Sequence, residues 1–255
     1  MPARILALVP LLALSACATP ALDVQPRYGE MEISGSAGVT TGGVGGNADL
    51  DQAGLDQEQI FSARADLQFG PHLVFLGQAP SFTGSGTLDV TLSDGTNTIN
   101  AGTPVDSRID FGAYDLALLF DLVPGDTVEL ALGFGAAYAD VDMRFEDPAS
   151  GTTIDEQANF PIPLACALAS VWIGPLQVSA FAGGMEYTYE GDTVSYLDAD
   201  VYARWKLFGG EELLRMSLVV GYRLTDLELE YADGSTNVES DLTIAGPYVG
   251  LEGSL

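Results

Sequence analysis

From Thr127 to Phe145 the chain alternates with a period of two. Val128, Leu130, Leu132, Phe134, Ala136 and Tyr138 form one row; Glu129, Ala131, Gly133, Gly135, Ala137 and Ala139 form the other. Successive side chains of a strand point to opposite faces, so this stretch predicts one bulky apolar face and one small or polar face. A soluble sandwich strand also alternates, but its solvent face normally carries more than Gly and Ala. An apolar row closed by an aromatic and backed by small residues suits a strand with lipid on one side and a lumen on the other.

The device recurs. Gln57–Phe69 places Phe61, Ala63, Ala65, Leu67 and Phe69 on one face. Asp106–Val123 does so with Tyr114, Leu116, Leu118, Phe120 and Leu122, Ser195–Leu207 with Leu197, Val201, Trp205 and Leu207, and Leu213–Tyr231 with Leu214, Met216, Leu218, Val220, Tyr222 and Leu224. Further strands are expected at Met31–Thr40, His72–Gln78, Phe160–Ile173, Leu176–Glu190 and Asp241–Leu255. The count is about ten, with eight and twelve as the neighbouring even numbers. Turns near residues 70, 124, 174 and 209 are short, and the segments near 48, 92, 152, 192 and 236 read as longer, acidic loops. The pattern predicts an all-β chain forming a single antiparallel transmembrane β-barrel over residues 31–255, with short periplasmic turns and long outer loops. Closure removes the sheet edges that lipid would leave unpaired.

At one end of the strands the polarity reverses. Past Tyr138 the outward row continues as Asp140, Asp142 and Arg144, while Val141, Met143 and Phe145 turn inward. The same exchange puts Ile109 and Phe111, Met185, Tyr187 and Tyr189, Leu227 and Leu229, and Leu242 and Ile244 inside. A lipid band needs only ~9–11 residues per strand. The longer strands therefore predict a barrel that projects beyond the membrane, wet outside and apolar inside. Its upper interior is either a packed plug or a cup for a small hydrophobic ligand.

The amino terminus changes the picture. Arg4 precedes an apolar run, Ile5–Leu14, too short to span a bilayer, and Leu14-Ser15-Ala16-Cys17 resembles a bacterial lipobox. Residues 1–16 are expected to be a signal peptide for the general secretory pathway, Cys17 the lipidated residue, and 17–30 a tether. Cleavage near Ala18 is the rival reading. Cys166 then stands alone, so no internal disulfide is expected.

Charge adds a constraint. Nine Lys and Arg face 36 Asp and Glu. This excludes nucleic acid as a natural partner and leaves outer-membrane lipids, a small hydrophobic ligand or divalent cations. Arg204, Lys206, Arg215 and Arg223 share the inward face with Asp66, Asp115, Glu129, Asp198, Asp200 and Glu252. Buried charges must be paired, so these ten are expected to form a lumen lattice, with a narrow cation-selective pore as the alternative. His72, the one histidine, lies beside the Gly70-Pro71 turn and reads as a bystander. The pairs Asp49/Asp51, Asp140/Asp142 and Asp198/Asp200 lack the further loop ligands of a calcium site. No metal site, cofactor or catalytic residue is expected.

The segments VDSRIDFGAYDLALLF, LGFGAAYADVDMRF, PIPL, VGYR and GPYVGLEGSL resemble a family of small bacterial outer-membrane β-barrel proteins, over Gln57–Leu255. A lipobox and a chain ending in Leu255 rather than Phe depart from that pattern. The resemblance implies an outer-membrane barrel and transfers no catalytic residue; the family's function is itself poorly defined. The expected role is non-enzymatic: binding or passing small hydrophobic molecules, or a structural or adhesive role through cation-binding acidic loops.

Overall fold

Alternating rows become a wall only when every stave finds two neighbours, and here ten staves do. The computed structural model describes residues 20–41, 43–123, 125, 127–189, 192–208, 215–233 and 236–255. The strands are β1 (Ala21–Thr41), β2 (Val44–Asp49), β3 (Gln57–Gln68), β4 (His72–Gln78), β5 (Ser81–Thr87), β6 (Leu92–Ser93), β7 (Thr98–Ile99), β8 (Pro104–Val123), β9 (Val128–Asp147), β10 (Thr152–Ile173), β11 (Leu176–Tyr189), β12 (Asp192–Phe208), β13 (Arg215–Asp233) and β14 (Thr236–Ser254). Ten staves close into an antiparallel barrel, with β4 and β5 sharing one stave. Strand β14 pairs back onto β1 from Asp23↔Ser254 to Thr41↔Thr236. Reciprocal backbone bonds between Leu22 and Leu255 (3.2 and 3.0 Å) seal the end that carries both termini.

The rows face as their chemistry requires. Phe61, Phe134, Leu122, Tyr222 and Val249 are exposed on the outside. On the inner face the small row of β9 is filled by its neighbour: Ala131, Gly133, Gly135 and Ala137 lie opposite Leu168, Cys166, Leu164 and Ile162 of β10. The bulky row of β10 thus points inward, and Pro161, Pro163, Ala165, Ala167 and Ala169 form its outer face. Cys166 is a free, buried thiol.

Two expectations need correction. Residues 21–30 are not a tether, because Ala21–Glu30 pair with β3 and β14 as part of β1. The acidic stretches 146–159, 192–194 and 232–240 are largely strand among the described residues, extending the wall beyond the apolar band. Between β9 and β10 only a tight turn remains, with Gly151 at φ +73° donating to the Asp147 carbonyl (2.8 Å). Residues 79–105, a long segment with room for a hairpin or a strand extension around Thr87–Leu92, hold both, placed to either side of that range. Pro80, with no N–H, interrupts the stave, β5 continues it along β8, and the β6–β7 hairpin folds into the barrel with Leu88, Leu92 and Ile99 buried. The signal peptide and Cys17 lie outside the described residues.

A closed ladder of this length resists detergent below boiling. The full chain should therefore run faster on a gel when unheated than when boiled in sodium dodecyl sulfate. Identical mobility under both conditions would contradict the barrel.

Candidate functional site

The interior has three levels. The middle one is a charged layer: Arg27, Arg64 and Arg223 against Asp115, Asp198 and Asp200, all at most 2% exposed. Arg223 grips Asp198 with two bonds (Nε–Oδ1 2.9 Å, Nη2–Oδ2 2.8 Å). Arg27 reaches Asp200 at 2.9 Å and Arg64 reaches it at 3.5 Å. Tyr248 donates to the other Asp200 oxygen (2.5 Å), and Tyr196 donates to Asp115 (3.0 Å). Arg27 also stacks over the Tyr248 ring, 4.4 Å from its centre. Three arginines and three aspartates thus meet, buried, across the middle of the lumen.

The lattice expected from the sequence is therefore divided. Asp115, Asp198, Asp200 and Arg223 belong to this layer. Arg204 and Glu252 pair with each other nearer the termini, where Arg204 also meets Gln177 and Asp23 (3.0 Å to the latter). Asp66 and Glu129 surround His72 instead. Lys206 and Arg215 are exposed at the mouth and do not belong to a packed lattice. Arg27 and Arg64 were missed. Arg27 falls in the expected tether, and Arg64, although opposite Phe61, Ala63 and Ala65 in the alternation, is not among the ten charges expected there.

Above the charges lies the apolar level. Ile109, Phe111, Val141, Met143, Phe145, Leu227, Leu229, Leu242 and Ile244 are buried there, together with Leu88, Leu92 and Ile99 of the inserted segment. The hairpin is pinned from both sides: Asn97 Nδ2 donates to the Thr153 carbonyl of β10 (3.1 Å), and Asp94 accepts the N–H groups of Thr96 (2.7 Å) and Asn97 (2.6 Å). Burial would raise the Asp94 carboxyl, but those N–H donors outweigh it and hold its pKa low. Met185 departs from its expected burial. It shares the inward face with Tyr196, its register partner, yet is 41% exposed, and Tyr187 is half-buried. The Tyr189 side chain lies outside the described ones.

Met185 is exposed because the wall is open beside it. Strand β10 pairs with β9 without a break from Thr152 to Val171, but with β11 only from Ala165↔Gly184 to Ile173↔Leu176. Elsewhere in the upper wall the described ladders continue toward the rim, except between β3 and β5, where pairing stops at Ser62↔Gln78 and the segment before β3 lies against β5 instead, Thr87 N–H donating to the Gln52 carbonyl (2.8 Å). The cause is local. Trp172 N–H donates toward β9, to Thr127 O (2.9 Å). Donors alternate along an unbroken strand, so the even positions of β10 face β9 and the odd positions face β11. Pro161 and Pro163 are odd. They remove two consecutive donors from the β11 side, just where that ladder ends. The resulting seam lies level with Tyr138 and Tyr114, partners of Pro161 through the register. Aromatic girdles mark membrane interfaces, so the seam opens at the outer one. Its flanks carry Phe160, Met185 and Tyr187.

At the terminus-bearing end a cavity of about 460 Å³ opens to solvent. His72 lies in its wall and is no bystander. Its Nδ1 is 3.1 Å from Asp66 Oδ1, and its Nε2 is 2.8 Å from Glu129 Oε1 and 3.2 Å from Asp121 Oδ1.

These features define the class: an outer-membrane-type β-barrel, sealed by charge at mid-height, with an apolar upper interior. Among solved structures it is similar to the outer-membrane protease OmpT of Escherichia coli, at 10% identity and TM-score 0.50, covering 91% of this chain and 97% of that one. It is also similar to the outer-membrane protein OprG of Pseudomonas aeruginosa (11% identity, TM-score 0.41, 94% and 98% covered) and to the attachment protein Ail of Yersinia pestis (9%, 0.34, 92% and 99%). At such identities the likeness is one of fold alone. No protein-family model and no curated protein matches the chain.

Removing one partner of a buried ion pair leaves the other charge uncompensated, at a cost of about 3–5 kcal/mol. Arg223→Met should therefore lower unfolding stability in urea by that order. Arg223→Met combined with Asp198→Leu should recover much of the loss. Equal destabilisation by the single and double variants would show that the pair is not coupled.

Proposed function

We propose that this outer-membrane barrel binds small apolar molecules in its upper interior and exchanges them sideways, through the β10/β11 seam, with the outer leaflet. The observation that carries this reading is the seam itself: an interrupted ladder at the membrane interface, flanked by half-exposed Phe160, Met185 and Tyr187. Apolar side chains left accessible beside an apolar interior favour a hydrophobic ligand over an ionic one. Axial passage is not part of the proposal, because the buried Arg/Asp layer lies across the lumen below. Nor is covalent chemistry. Among the described residues beside the seam, no nucleophile is paired with a base; the one histidine lies at the opposite end.

The register supplies the test. Extending the β10–β11 ladder by one pair would set Leu164 against Met185. Both face inward, in a non-hydrogen-bonded pair suited to a disulfide. In a chain carrying Cys166→Ala, Leu164→Cys with Met185→Cys should close the seam on oxidation. Binding of the fluorescent apolar probe N-phenylnaphthylamine should then fall at least tenfold and return on reduction. Tyr187→Ser should weaken binding without oxidant. Absence of probe binding by the parent chain, or binding unaffected by the disulfide, would overturn the proposal.

A further inference from the structure

The cluster around His72 performs no task in the reading above, and its geometry is specific. Four neighbouring staves contribute. Strand β3 supplies Asp66 and Gln68, β4 supplies His72, β8 supplies Asp121 and β9 supplies Glu129. The Asp66 carboxylate lies 3.1 Å from Nδ1, placed to accept its N–H. That tautomer leaves the Nε2 lone pair directed at two further carboxylates, Glu129 Oε1 at 2.8 Å and Asp121 Oδ1 at 3.2 Å. Two carboxylate oxygens and a nitrogen lone pair converge on one point, where a cation satisfies all three, and Gln68 Nε2 lies beside it, 3.2 Å from His72 Nε2.

The charge balance is uneven as well. Asp66 also lies 3.7 Å from Arg64, whereas His72 is the partner of both Asp121 and Glu129 among the described residues. Asp121 Oδ1 is buried and makes no hydrogen bond. The register of β8 against β9 shifts between Asp121 and Val123, and such a bulge re-aims the side chains beside it.

We propose that His72 Nε2, Asp121 and Glu129 bind a divalent transition-metal ion of the zinc class, with Asp66 orienting the imidazole. One ligand atom from each residue lies within 4.8 Å of the other two. Ligands bound at ~2.0–2.2 Å to a tetrahedral ion stand ~3.3 Å apart, so the side chains need only small adjustments. An imidazole with two carboxylates favours zinc, cobalt or nickel. Calcium and magnesium prefer oxygen alone, and soft ions prefer thiolates, which are absent from the cluster. Asp66 has the role of the carboxylate that commonly fixes a ligating histidine from behind. Three protein ligands leave a fourth position, which opens onto the 460 Å³ cavity and so onto water. This inference does not depend on the seam: one concerns the terminus-bearing end, the other the rim.

The test uses the full chain in detergent, stripped with a chelator and titrated with Zn²⁺ under excess Ca²⁺ and Mg²⁺. Those ions occupy the many surface carboxylates. One zinc per barrel should be retained, and Co²⁺ in its place should show the visible absorption of a four-coordinate site. Glu129→Gln and Asp121→Asn, close in shape to the native residues, should each weaken binding at least tenfold and remove the cobalt band. Asp66→Asn should weaken it by about 10–100-fold while the band remains. Heat-modifiable mobility verifies that each variant is folded. No retained zinc, or equal affinity and stoichiometry in the Glu129 and Asp121 variants, would overturn the site.

Discussion

In hydrocarbon an unpaired backbone N–H or C=O costs several kcal/mol, and the wall of this barrel follows from that cost. Ten staves close by pairing β14 to β1 over nearly their full lengths. Pairing lapses between β10 and β11, where the wall has reached the interfacial girdle and water begins to satisfy what the ladder does not. Two prolines set the limit, since a residue without an N–H cannot extend the ladder on the side it faces. The seam is therefore a feature of the wall's construction, placed where interrupted pairing costs least.

Inside, two solutions to burial are stacked. Near the middle, buried charges are tolerated because Arg27 and Arg64 meet Asp200, Arg223 meets Asp198, and tyrosine hydroxyls and a ring face complete the layer. Above them, water surrounds the wall and the lining becomes apolar, a chain segment that folds inward between β5 and β8 forming part of it. The small lumen row of β9 opens no channel, because β10 fills it with Leu164, Cys166, Leu168 and Ile162. A barrel closed in this way has two accessible regions, the seam near the rim and the cavity near the termini. They differ in chemistry as the lining does, apolar at one end and acidic at the other.

Much of this was legible in single strands. The outward row from Val128 to Tyr138, and the reversal beyond it, followed from period-two alternation alone, because a strand's two faces are fixed by backbone geometry. The same rule placed Asp198, Asp200 and Arg223 inside. It failed where alternation was carried by small or charged residues. Ala21–Glu30 looked like a tether, so Arg27 was lost, and acidic strand extensions looked like loops.

The sequence by itself determined which side of each strand meets lipid, where the outer face becomes polar, and which charges turn inward. These depend only on neighbours along the chain. Partner identity was decided by tertiary structure, because register and closure of the wall bring together residues well separated along the chain. That is how Arg27 finds Asp200 and how β10 fills the space left by β9. It also explains why two prolines, unremarkable in the linear pattern, open the wall, and why one histidine beside a turn comes to lie among three carboxylates from three other strands.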